Sequence, residues 1–195
     1  MTRLVTANLS LSLDGRYNGP GGPYDLAAIV PYATTDVARD HLTRLHENAT
    51  TAVLGRLNAE GFLGFWPTII GNQDADPRDR GYAQWLVDTD KVVFSTTLTE
   101  APWERTRLVN GPVADVVTEL KATGEGEILV NSSASIIKAL LAADLLDRLY
   151  LMVTPEIAGG GERLFEDGVP ATKWAVTHQE TGKLGELAMV YDRVR

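Results

Sequence analysis

Cysteine is absent from the 195 residues, which excludes a disulfide framework, a thiol nucleophile and a thiolate metal site. Histidine is nearly absent too. His41 and His46 are five apart, off the i, i+4 spacing of a helical metal pair, and His178 stands alone. Asp74, Asp76 and Asp79 lack the glycine and closing glutamate of a calcium loop, so no metal is expected. Positive charge is in deficit: 18 Lys and Arg against 26 Asp and Glu give a net charge of −8. That argues against a nucleic-acid or anionic-membrane surface, while leaving room for one local basic pocket. No apolar run reaches the roughly 18 residues a membrane span needs. The opening MTRLVTANLSLSLDG shows no secretory n-region, h-region and cleavage site, so a cytoplasmic location is the expectation. Three motifs are missing as well: a G-x-G-x-x-G after the first strand, a P-loop lysine and a G-x-S-x-G elbow.

What is present is an ordinary globular composition, 44% apolar and 23% charged, in a chain long enough for one sizeable core. A single domain over 1–195 is expected. The chain is organised around residues 127–165. Glu127 to Val130 read as a buried strand, followed by the small residues Asn131-Ser132-Ser133-Ala134. Ile136, Ile137, Leu140, Leu141 and Leu145 then recur at helical spacing, and Leu149 to Val153 form a second strand. Pro155 leads from there into Gly159-Gly160-Gly161. A small-residue loop at a strand end is where an open α/β sheet holds ligands, and a helix N-terminus there can bind phosphate.

Upstream, residues 3–13 read as a strand closed by Asp14-Gly15, and 16–33 as a long loop rich in glycine and proline. Thr34 or Thr35 would cap a helix with the inner stripe Ala38, Leu42, Leu45 and Ala49. Thr51–Leu54 is a strand, Asn58 a cap for a short helix carrying Phe62, Phe65 and Trp66, and 71–81 a polar loop. The four aromatics Phe62, Phe65, Trp66 and Trp103 read as core or dimer packing, with one or two of them available to wall an aromatic substrate pocket. A short helix over Tyr82–Val87 precedes strands at Lys91–Ser95 and Arg107–Val109 and a helix with Val113, Val116, Val117 and Leu120. Trp174–His178 and Leu187–Tyr191 alternate around Gly182 and Gly185 as a terminal antiparallel hairpin. The order predicts an α/β protein with a mainly parallel sheet, helices on both faces and antiparallel strands at one edge.

Three strands end in residues suited to phosphate or ribose: Gly55-Arg56-Leu57-Asn58, Ser95-Thr96-Thr97 and Asn131-Ser132-Ser133-Ala134. In a parallel sheet these ends share one edge, which points to a dinucleotide lying along it. Several residues also have a plainer reading. Asp14-Gly15 reads equally as a turn, Arg56 as a structural ion pair, Ser132 and Ser133 as helix caps, and 159–161 as a flexible turn.

The segments SLDG at 12–15, VLGR at 53–56 with GFW at 64–66, KVVFSTTL at 91–98, the 127–154 unit and PEIAGGGERLF at 155–165 resemble the dihydrofolate reductase-like family. The branch they resemble is the riboflavin-pathway reductase C-terminal domain with its stand-alone bacterial relatives. The resemblance covers nearly the whole chain. It implies a three-layer α/β/α sandwich with a mixed sheet, a reduced nicotinamide cofactor (usually NADPH, with NADH possible) and a homodimer. It places Gly55, Arg56 and Asn58 at the pyrophosphate and 2′-phosphate, and Ser95, Thr96 and Leu98 on the adenosine side. Asn131, Ser132, Ser133, Ala134 and Ser135 fall at the pyrophosphate and the ribose near the nicotinamide. Ala7 borders the nicotinamide, and Asn8 and Asp14 border the substrate, with Asp14 the candidate proton relay.

The chain departs from the family in three places. Thr96 stands where the family often has arginine, which leaves the choice between NADPH and NADH open. Ser132-Ser133 replace the paired glycines of dihydrofolate reductase, and their β-carbons limit how closely a ligand can approach the backbone. The 16–33 loop lacks the carboxylate segment of a folate site. The expectation is therefore an NAD(P)H-dependent reductase acting on a small heterocyclic or carbonyl-type substrate. One alternative is 5-amino-6-(5-phosphoribosylamino)uracil reductase of riboflavin biosynthesis, which would need a basic phosphate site where 16–33 offers only Arg16. The other is a non-catalytic nucleotide-binding or sensor protein of the same fold.

Overall fold

The computed structural model describes residues 2–195. Eight strands form one sheet in the order β4-β3-β2-β5-β1-β6-β8-β7. They are β1 Val5–Leu11, β2 Ala49–Gly55, β3 Asp90–Phe94, β4 Thr106–Val109, β5 Glu127–Asn131, β6 Arg148–Val153, β7 Lys173–Thr181 and β8 Leu187–Val194. The first six run parallel, and β8 is antiparallel to both β6 and β7. The reason lies in the side chains. The runs Ala52-Val53-Leu54 and Ile128-Leu129-Val130 are fully buried, which suits a strand covered on both faces.

Five helices supply those covers: α1 Asp36–His46, α2 Arg56–Phe65, α3 Pro77–Asp88, α4 Val113–Ala122 and α5 Ala134–Ala142. On one face α4 and α5 contribute Val117, Ile136, Ile137 and Leu140 against Val5, Ala7 and Leu9. On the other, Leu45, Ala59, Leu63, Tyr82 and Leu86 from α1 to α3 pack on Leu54, Val93 and Leu129. The result is the expected three-layer sandwich with a mixed sheet.

Some boundaries move, for local reasons. The segment expected as a polar loop at 71–81 turns helical at Pro77, because the Asp76 carboxylate accepts from the Arg78 N–H (2.9 Å) and Pro77 occupies the first turn. Thr35, not Thr34, caps α1 through an acceptor bond from the Ala38 N–H. The buried stripe of α1 is Val37, His41 and Leu45, while Ala49 already belongs to β2. Asn58 lies inside α2 instead of capping it. Two buried cations brace the ends of elements. Arg3 donates to the Gly126 and Thr123 carbonyls and to Thr51 Oγ1, tying the entry of β1 to β5. Lys91 donates to the carbonyls of Leu86, Val87 and Thr89, closing α3.

Candidate functional site

Neighbouring strands β3, β2, β5 and β1 end on the same edge, and the three polar strand ends read from sequence meet there. Sequence order breaks between β2 and β5 and again between β5 and β1, the kind of switch point beyond which an open α/β sheet takes a ligand. Two helices start at this edge. The residues at the starts of α2 and α5, Gly55 and Ser133, make no side-chain cap to their own helix. First-turn N–H groups in both are left for a ligand or water.

The β5 end is held by a dense set of bonds. Ser133 is buried, and its Oγ accepts from the Gly55 N–H (2.9 Å) while donating to the Asn131 carbonyl (3.0 Å). The Asn58 amide donates to the Ser132 carbonyl (2.9 Å). Across to β1, Asn8 Nδ2 donates to Ser132 Oγ (3.2 Å), and the Ser132 N–H donates to Asn8 Oδ1 (3.2 Å). These partners hold Ser132 at φ +50°, a left-handed conformation that costs a non-glycine residue about 1 kcal/mol or more. Serine tolerates here what the family resemblance assigns to glycine, because both its backbone and its hydroxyl are paired. Ser135 is exposed in the first turn of α5, and Ala134 is buried.

At the β2, β3 and β4 ends there is a cavity of about 220 Å³. Arg56, Ser95 and Thr96 line it together with Phe94, Val109, Asn110 and Gly111. Ser95 Oγ accepts from the backbone N–H groups of Thr97 (3.2 Å) and Leu98 (2.9 Å), which shapes the turn. Leu98 contributes that N–H and does not line the cavity. Arg56 Nη1 donates to both Glu60 carboxylate oxygens (2.9 and 3.0 Å), so Arg56 makes the ion pair of its plainer reading while also lining the cavity.

Three expected site residues are spent elsewhere. Ala7 is fully buried in the core and offers a ligand no surface, whereas Asn8 and Ser10 on the alternate face are half-buried. The buried Asn131 turns its amide to the Tyr82 hydroxyl. Tyr82 itself is sealed among the α1–α3 aromatics, and that burial pushes its phenol well above the ordinary tyrosine range. Asp14 accepts from Ser12 Oγ (2.7 Å), the Ala158 N–H (2.9 Å), Arg16 Nε (2.8 Å) and the Gly159 N–H (3.2 Å). Those donors, Ser12 first, hold its carboxyl well below the usual carboxylate range. An ionised carboxylate with four donors clamps two loops and has no proton to give.

The loop it clamps is docked on the chain after β6. The Glu162 N–H donates to Asn18 Oδ1 (2.6 Å), and Tyr32 donates to Glu156 (2.8 Å). Gly161 sits at φ +96° with the Asn18 carbonyl where a Cβ would lie, only 2.2 Å away, so the glycine is required there. Sequence reasoning missed Ser10, Glu60, Asn110 and Gly111. The first two carried a signal: Ser10 shares the strand face of Asn8 at i+2, and Glu60 follows Arg56 at i+4. Nothing local marks Asn110, which only the pairing of β3 with β4 brings to Ser95.

Among the described residues no group of three or more acidic or histidine side chains could hold a metal, and no helix is long and apolar enough to cross a membrane. The family model of the RibD C-terminal domain matches residues 3–186. No curated protein matches the chain. The fold is similar to that of a pyrimidine reductase-like protein from Corynebacterium diphtheriae, with 15% identity over 99% of this chain and 92% of that one and a TM-score of 0.70. It is similar to a diaminohydroxyphosphoribosylaminopyrimidine deaminase/5-amino-6-(5-phosphoribosylamino)uracil reductase from Thermotoga maritima, at 14% identity, covering 99% of this chain and 57% of that one, with a TM-score of 0.66. Dihydrofolate reductase from Enterococcus faecalis, complexed with NADP(H), matches over 100% of both chains at 16% identity and a TM-score of 0.62. At these identities the likeness is one of fold, and that fold is dihydrofolate reductase-like.

Proposed function

Since the chain belongs to the RibD C-terminal domain family, we propose that it is an oxidoreductase that reduces a small heterocyclic or carbonyl-type substrate with NADPH or NADH held along the β3-β2-β5 edge. The observation that carries this reading is the meeting of three polar strand ends and two helix starts without side-chain caps on one edge. Such an edge fits a dinucleotide: paired helix N-termini suit its pyrophosphate, and the cavity beside Arg56 suits its adenosine end. When bound, the cofactor supplies the hydride, and the chain supplies binding, orientation and exclusion of water.

Asn8 and Ser132, locked to each other across β1 and β5, form the wall that orients the reacting pair. Asp14 keeps the 12–18 turn against residues 158–162 and so shapes the substrate side of this edge. The proton comes from water at the half-buried face of Asn8 and Ser10.

Ser135→Glu tests the site without touching the core. An exposed glutamate in the first turn of α5 favours the helix dipole but repels a pyrophosphate. The expected result is a loss of cofactor affinity of about tenfold or more with stability unchanged or slightly raised. Unchanged affinity would place any dinucleotide elsewhere.

One observation favours the narrower riboflavin reading. A backbone bridge between Arg16 and Arg163 sets a second arginine beside the 16–33 loop, whose own Arg16 is already paired with Asp14. Turnover of the ribosylaminopyrimidine phosphate, with KM raised about tenfold in Arg163→Ala, would select this substrate. Absence of turnover removes it.

A further inference from the structure

Arg56 is the one charged side chain lining the cavity at the β2, β3 and β4 ends, and it is not free to act alone. Glu60, one helical turn on, takes both of its carboxylate oxygens to Arg56 Nη1 (2.9 and 3.0 Å). The pair is partly open to solvent, with Arg56 38% and Glu60 41% exposed. Ser95, Thr96 and Asn110 offer hydroxyl and amide groups, which suit a ribose diol at least as well as a phosphate.

We infer that Glu60 sets cofactor choice at this cavity, its carboxylate offsetting Arg56 and disfavouring a 2′-phosphate relative to a free ribose hydroxyl. The inference rests on the reading that a nicotinamide dinucleotide lies along this edge. A phosphate at the cavity must share the Arg56 guanidinium with a carboxylate already on it, and the phosphate carries close to two negative charges into that field. A diol brings no charge and meets no such opposition. Glu60 acts through Arg56 and is therefore a specificity-determining residue, not a catalytic one.

The test is calorimetric titration of the wild-type protein, Glu60→Gln and Glu60→Ala with NADPH and separately with NADH, at low and at physiological salt. The glutamine keeps size and removes charge, and the alanine also removes any acceptor for Arg56. Circular dichroism checks that each variant is folded, as the exposure of Glu60 leads one to expect. In both variants NADPH should bind about three- to tenfold tighter while NADH changes by less than about twofold, and the gain should shrink as salt rises. If wild type binds both cofactors and the NADPH-to-NADH ratio is unmoved in both variants, the role given to Glu60 is wrong and the reductase reading stands. If wild type binds neither, the reductase reading itself falls and this inference with it.

Discussion

Asp14 and His41 show how surroundings decide what one side chain can do. Asp14 is ionised because four donors converge on it. Its folded-state pKa lies below the unfolded one, so its contribution to stability is present above about pH 4 and fades as pH falls further. Asp14→Asn should leave the acid limb of any pH–rate profile in place while lowering the urea midpoint at neutral pH, since the carboxylate's four donors lose their charged acceptor. Disappearance of that limb would restore Asp14 as a proton relay.

His41 is 5% exposed, lies edge-on to Tyr150 with Arg44 and His178 as its charged or titratable neighbours, and has no partner for either ring nitrogen. Burial, with Arg44 and His178 adding to it, lowers its pKa to about 4. The neutral imidazole is favoured in the fold, so stability is full above the unfolded pKa of about 6.5 and is lost as pH falls toward about 4, by up to about 3 kcal/mol. Urea midpoints at pH 7 and pH 4.5 should differ less in His41→Leu than in wild type. An equal difference would show that His41 does not carry the acid sensitivity. None of this is visible in spacing, which shows only that His41 and His46 are wrong for a metal. For the same reason the sequence reading misplaces Asn131 and Ala7: residue type suggests a polar contact or a small neighbour, and burial decides where each side chain goes.

At the scale of elements, the sequence was informative wherever one local signal sufficed. The 127–154 unit came through because Ile128 to Val130 is one unbroken apolar run and the stripe of α5 follows a single helical period. The boundaries that moved were those set by caps, where Asp76 with Pro77 outweighed the polar composition of 71–81. The lateral order of strands, with β5 between β2 and β1, lies in long-range contacts that no periodicity carries.

Ser133 is the residue that joins two such elements, bonding Gly55 of β2 to Asn131 of β5. Ser133→Ala leaves the Gly55 N–H without its acceptor, and the unfolding free energy should fall by about 1–3 kcal/mol with a parallel loss of cofactor affinity. A stability loss without any change in affinity would separate the strand junction from the binding edge.

Over the whole molecule, the sheet does one thing for function: it brings four strand ends and two helix starts, distant in sequence, to one edge. The residue types at those ends were legible; the cavity completed by β4 and the clamping of the 16–33 loop onto residues 156–163 were not, because both come from tertiary pairing. The measurement that tests the central claim most directly is calorimetric titration of the purified protein with NADPH and with NADH. Binding of at least one reduced cofactor at micromolar concentration, weakened about tenfold or more by Ser135→Glu, is the predicted result. Binding of neither would contradict the account.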